Sequence, residues 1–484
     1  MKNRTQSTNT GISTNISSSV KANVSTDLNS KVMTKTVHGA GALLLLCVLT
    51  LIFSPVARFP SVWILLSVSA VVLVAAALIV AISGAGAAAR NLRVGMLRHI
   101  GALGWVALPV SAGLLSGLVL SVYPWQGAMV LAEFIGALVV GLTVAILAQG
   151  AASHEALKRG VTSQVTTQRN SCQGALEGSN AEVWLRCGIA SCCVIVGLGA
   201  LWLICTPKHS AMVVAWLNSV ENMNYWGFAF ALLISCSVAV VLSGRIGRLG
   251  ITVALLTLLA AAALFTWLSL SYPSRGALLA ALCSITLLVL LRFTRLPLKW
   301  LFAGTAGTFI FACVATFIIQ SADWMSYDAL NALSSRRLLI YDTTWGLWQQ
   351  APWFGWGLEA YKNHGAVEVA KHMGGLFFPA PHNILLEMLY SLGVVGSALV
   401  LATLGRILWL AMRATREASN PFAGLLATAI ITTLVLHGAT DLSIYRPYFF
   451  LLVFTAWGLV QGSTPNLQSP QRQAGVGKGG AIKH

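Results

Sequence analysis

A handful of ionisable and amide side chains stand where apolar runs begin or end, and they are the residues with chemistry to offer. His382 lies in Pro381-His382-Asn383, directly before a long apolar run. An imidazole there can take a hydroxyl proton near neutral pH, so it reads either as a general base or as a structural histidine at a helix start. Asn383 can cap that helix. Glu387, in the next turn, can orient nearby donors or favour the helix N-terminus. Arg275 follows Tyr272-Pro273-Ser274 and opens another apolar run. Its guanidinium suits a headgroup anchor or a bidentate grip on a diphosphate. Arg336 and Arg337 sit together in Ser334-Ser335-Arg336-Arg337-Leu338, with Tyr341 and Asp342 behind. They suit an anionic ligand, or a solvated helix face paired with Asp342. Asp441, in His437-Gly438-Ala439-Thr440-Asp441, is close enough in sequence to pair with Arg446.

The chain has no HExxH, DxD or Cys-x-x-Cys motif and no nucleotide-binding loop, so neither a metal nor another cofactor is expected. The cysteines lie mostly inside apolar runs, as Cys47, Cys236, Cys283 and Cys313 do, and read as small buried hydrophobes. An enzyme working outside the cytoplasm without nucleotides needs a preactivated donor. A polyprenyl-diphosphate-linked sugar fits, because its diphosphate is both anionic and a good leaving group.

The elements that must position these residues are set by hydrophobicity. Apolar residues make up 56% of the chain and charged ones 9%, against about a quarter charged in a soluble domain. Too little polar surface exists to cover a globule, and lipid is the natural solvent. The apolar runs are continuous and lack period-two alternation, which predicts an all-α integral membrane protein. The predicted spans are 39–55, 61–84, 100–121, 126–148, 187–205, 225–243, 249–271, 276–291, 300–319, 384–405, 422–438 and 446–461. A net charge of +17 raises the question of nucleic acid, but the basic residues cluster between runs. With twelve spans and both ends in the cytoplasm, 23 of the 31 Lys and Arg fall on the inner side, as the positive-inside rule requires.

The organisation expected is a disordered cytoplasmic tail (1–38), spans one to nine (39–319), a loop subdomain on the outer side (320–381), spans ten to twelve (382–461) and a second cytoplasmic tail (462–484). The outer loop carries Trp324, Trp345, Trp348, Trp353, Trp356 and Phe377-Phe378. That content predicts a packed helical unit on the membrane surface. The polar inner loop 149–186 has no assigned role. A twelve-span transporter is the alternative from another class: Gly244-Arg245-Ile246-Gly247-Arg248 echoes the basic turn of major-facilitator transporters. That turn lacks the preceding acid, however, and apart from Glu133 few spans hold a charge from which to draw an ion path.

The chain from about residue 250 onward resembles the O-antigen ligase family. The likeness rests on Pro352-Trp353-Phe354-Gly355-Trp356-Gly357, then His382-Asn383, nine residues, Gly393, two residues and Gly396. Arg275 in Ser-Arg-Gly looks like the family's arginine between spans seven and eight, and Asp441 like its aspartate near the penultimate span. The motif is shared more loosely with O-antigen polymerases and protein O-oligosaccharyltransferases. The resemblance implies a metal-independent, inverting GT-C-type glycosyltransferase of the bacterial inner membrane. It would move O-antigen from undecaprenyl diphosphate to lipid A–core at the periplasmic face. His382 would activate the acceptor hydroxyl, Arg275 and Arg337, with Arg336, would hold the diphosphate, and Asp441, Asn383 and Glu387 would support them.

Overall fold

The computed structural model describes residues 223–244, 274–321, 337–418, 421–441, 444 and 447–463, together with helical positions scattered through 130–145 and 252–262. The expected spans 39–55, 61–84, 100–121 and 187–205, the tails 1–38 and 464–484, the 149–186 loop, Arg336 and Arg446 lie outside the described residues.

Among the described residues every regular element is helical. They are α1 (Met223–Leu242), α2 (Arg275–Phe293), α3 (Leu298–Ser321), α4 (Arg337–Trp348), a π-helical turn at Tyr361–Gly365, α5 (Ala366–His372), α6 (Ile384–Glu417), α7 (Phe422–Gly438) and α8 (Pro447–Ser463). Among the described residues, three helical stretches, Arg275–Phe293, Leu298–Ala315 and Ile384–Glu417, are long and apolar enough to cross a membrane, and shorter apolar helices occupy Gly227–Leu242, Phe422–Gly438 and Phe449–Gln461. These match the predicted spans six and eight to twelve in order.

The core is built around α7, which is apolar on all sides and buried along nearly its whole length. Such a helix has no polar face to offer water and must be wrapped by others. α1, α2, α6 and α8 surround it. α2 turns its small residues Ala277, Ala280, Ala281 and Ser284 inward, which lets helix backbones approach closely. Thr433 of α7 donates to Ser235 of α1 at 3.0 Å, an interhelical bond worth about 0.6 kcal/mol. Phe134 meets Phe450 and Phe454 of α8 edge-on, each at 5.4 Å, so the described positions of the fourth predicted span join the same bundle.

The helix ends have local causes. α2 stops at Phe293 because Thr294 turns extended and Pro297 follows; the Pro297 carbonyl then accepts from Trp300 and starts α3. One boundary differs from expectation. The tenth span, predicted as 384–405, continues as helix to Glu417. Residues 406–417 are mostly strong helix formers, and Arg413 pairs with Glu417 one turn on at 2.7 Å.

α6 is also broken. Gly393 has φ 64° and ψ −172°, a conformation open to glycine and strained for other residues. The Pro352–Gly357 segment bonds into the break: Trp356 N–H donates to Tyr390 O at 2.8 Å and Val394 N–H to Pro352 O at 2.8 Å. A Cβ on Gly393 would lie 2.3 Å from the Trp353 backbone. The two glycine-bearing motifs of the sequence are therefore one structure, a loop strand seated in a helix break. Around it the aromatic-rich loop packs its own core of Ile340, Tyr341, Tyr361, Val369, Leu386 and Tyr390. The described part of the predicted loop subdomain is thus folded on the first turns of α6.

Candidate active site

The site forms where α4, the start of α6 and the turn after α7 meet. Asn383 caps α6 as expected, with its side-chain oxygen accepting from Leu385 and Leu386 N–H at 3.1 and 3.2 Å. Its amide NH2 also donates to Cys313 O of α3 at 3.1 Å, which pins the start of α6 to a membrane helix. His382 sits immediately before the cap with φ 57°. That left-handed conformation costs a non-glycine residue of order 1–3 kcal/mol. Tyr341 holds the turn by donating to the His382 carbonyl at 3.2 Å.

Asp441 is delivered by the end of α7. After Gly438 the chain makes a tight turn in which both Thr440 and Asp441 N–H donate to His437 O at 3.0 Å. This aims the carboxylate at the imidazole, and Asp441 Oδ1 contacts His382 Nδ1. Asp441 Oδ2 lies 3.4 Å from the Arg337 guanidinium, with only 4% of the aspartate side chain exposed. Burial alone would raise the Asp441 carboxyl. The hydrogen bond from His382 and the charges of His382 and Arg337 outweigh it and hold the group below the usual carboxylate range. An ionised carboxylate can only accept, so Nδ1 carries the proton and Nε2 is left as the basic nitrogen.

Arg337 opens α4 and also donates to Thr440 O at 2.5 Å. Tyr341 lies one turn further on the same helix face and hydrogen-bonds with Arg337. Its phenol, pushed up to about 12 by burial, stays protonated as a donor. Glu387, buried, accepts from Ile444 N–H at 2.8 Å and so ties α6 to the segment after Asp441. Arg275 is exposed at the first turn of α2, and among the described residues no group holds its guanidinium. Its neighbour Gly276 packs under the Asp441 turn so closely that a Cβ there would lie 1.9 Å from Thr440 Oγ1. The glycine of Ser-Arg-Gly is thus required by close approach, and it brings the backbone beside Arg275 against the turn that carries Asp441.

Of the residues singled out from sequence, His382, Asp441 and Arg337 come into direct contact, Asn383 and Glu387 brace them, and Arg275 adjoins the glycine packed under the Asp441 turn. Arg337 engages Asp441, a pairing that 104 residues of sequence separation conceal. Sequence reasoning missed Tyr341, although its position one helical turn after Arg337 was a usable signal. The Thr440 and Cys313 carbonyls gave none, because backbone acceptors are independent of residue type.

The cluster is an imidazole base with an oriented proton, next to guanidinium charge. No curated protein matches the chain. The O-antigen ligase family model matches residues 259–401, a stretch that takes in Arg275, Arg337, His382 and the Gly393 break and stops short of Asp441. The family indicates a membrane-bound, glycosyltransferase-like function of the ligase or polymerase type, with a polysaccharide donor and a lipid acceptor in general. The segment that carries His382, Arg337 and Arg275 is thus similar to the O-antigen ligase family, and its apolar helices make the chain a membrane protein.

Proposed function

We propose that the chain is a metal-independent, inverting glycosyltransferase of GT-C type with about twelve spans. In this reading it transfers O-antigen polysaccharide from undecaprenyl diphosphate to lipid A–core, at the periplasmic face of the bacterial inner membrane. The observation that carries it is the His382–Asp441 contact beside the Arg337 guanidinium. Asp441 fixes the Nδ1–H tautomer, so Nε2 takes the proton of the acceptor hydroxyl. The acceptor oxygen bonds to the anomeric carbon as the bond from that carbon to the diphosphate breaks on the opposite face, which inverts the centre. Arg275, together with Arg336, grips the departing diphosphate. Arg337 holds Asp441 and, with five N–H donors, has donors left for a phosphate oxygen.

Sidedness follows from charge. Arg292, Arg295, Lys299, Arg413 and Arg416 gather at one end of the bundle, and the site lies at the other. The positive-inside rule turns the basic end to the cytoplasm. The decisive experiment is a lipopolysaccharide gel of a deletion strain. A ligase predicts O-antigen lost from the core but retained on the lipid carrier. Short O-units still on the core would indicate a polymerase, and unchanged lipopolysaccharide a protein-glycosylating enzyme. In purified protein, Arg275→Lys should rescue poorly, because lysine lacks the planar fork.

A further inference from the structure

We propose that the loop subdomain is not suspended in water above the bundle but is seated in the bilayer through two apolar edges, Trp353–Phe354 and Leu376–Phe377. The partner is the acyl–headgroup boundary of the leaflet farther from the basic rim.

The depth of both edges can be read from the helices they touch. The rim is marked by Arg416, which donates to Leu296 O and Thr294 O, and by Arg292, which donates to Leu242 O at 3.1 Å. From Arg413 to Val394 the second half of α6 rises about 29 Å at 1.5 Å per residue. That matches a hydrocarbon core of about 30 Å, so the break at Gly393 marks the far boundary. Trp353 and Phe354 are bonded at that level, with Val395 N–H donating to Trp353 O at 3.2 Å. They are 65% and 48% exposed, and the adjoining Val394 and Val395 are exposed as well. Trp is enriched at this boundary, where an amphipathic ring meets both phases.

The second edge sits deeper. Asn383 bonds to Cys313 O, and Cys313 lies about 21 Å along α3 from Lys299. The His382 turn is therefore sunk roughly 9 Å below the far face of a core about 30 Å thick. Phe378 packs against His382 with rings 6.2 Å apart, which brings the exposed Leu376 and Phe377 to the same depth range. Two exposed apolar pairs from a segment that does not span thus flank a site below the membrane surface. By contrast, α5 carries the exposed pair Lys371–Glu368 at 2.7 Å, and its charges keep that surface in water.

The test uses the full-length protein in nanodiscs of phosphatidylethanolamine and phosphatidylglycerol, with p-benzoylphenylalanine placed singly at Phe354, Phe377 or Lys371. Ultraviolet illumination is followed by mass spectrometry of the intact chain. Phospholipid adducts at 354 and 377, lost at 371, are expected. Adducts absent at both 354 and 377, or crosslinks there to a second copy of the chain, overturn the proposal. Phe377 supplies an independent second position should substitution at Phe354 impair folding. The readout needs no substrate, so its failure is separable from failure of the transfer reaction.

Discussion

The two ends of the helix bundle use arginine in the same way and to different effect. At the basic rim, Arg416 donates to the Leu296 and Thr294 carbonyls and Arg292 to the Leu242 carbonyl. These carbonyls lie at the end of α1 and in the linker between α2 and α3, and the arginines satisfy them. At the opposite end Arg337 does the same for Thr440 O. There, though, a buried carboxylate and an imidazole lie in reach. There a guanidinium that closes a helix end also contacts a carboxylate, which in turn contacts an imidazole. The difference lies in the neighbours: carbonyl dipoles give a cap, and a titratable pair gives a site. The rim is also exposed at Arg413 and Glu417, where a salt bridge contributes about 0–1 kcal/mol. At the site the Asp441 carboxylate is buried, and removing a partner there leaves its charge uncompensated.

Variants at both ends can break this comparison. The largest effect is expected at His382. A general base contributes typically 10²–10⁴-fold, so His382→Gln should fold, insert and bind donor yet transfer at least ~100-fold more slowly. Near-normal turnover of purified His382→Gln would show that the imidazole only orients substrate. Next comes Asp441→Asn. It removes a charge-assisted hydrogen bond of about 1.5–3 kcal/mol, an expected loss of roughly 10–100-fold in kcat. The same variant tests linkage. The folded-state Asp441 carboxyl is held below its unfolded value of about 3.9, so the unfolded chain binds more protons near and below that pH. Its stabilisation is present above that range and is lost as pH falls through the folded value. Thermal unfolding of the Asn variant should therefore be less acid-sensitive than wild type, and parallel pH curves would contradict the assignment.

A smaller change is expected for Tyr341→Phe, which keeps the ring and deletes the donor to the His382 carbonyl. A hydrogen bond of about 0.5–1.5 kcal/mol translates to a loss of a few-fold to about tenfold in kcat with KM unchanged. A change confined to KM would assign Tyr341 to substrate binding instead. The smallest is at the rim: Arg292→Gln should alter transfer by less than about twofold, its cost appearing in stability at ~1 kcal/mol or below. A large fall in activity there, without a fall in melting temperature, would mean that the rim is not merely structural.

Much of this molecule was legible in the chain. Apolar runs longer than any soluble helix needs, and basic residues gathered between them, determined a helical membrane protein. Those signals are local, and one residue's cost in lipid does not depend on the rest of the fold. Residue chemistry at run ends likewise picked out His382, Asn383, Arg275, Arg337, Glu387 and Asp441. The tertiary structure alone decided which of them meet. Asp441 reaches His382 only because α7 packs beside α6 and ends in a turn that the helix itself caps. Arg337 reaches Asp441 only because the loop folds back on α6. The Gly393 break could be read as a motif glycine but not as a seat for Pro352–Gly357, since that seat is made of backbone hydrogen bonds between distant segments. Such contacts depend on geometry rather than on residue type. Sequence therefore named the groups, while the packing of α7 between α2 and α6 set their distances.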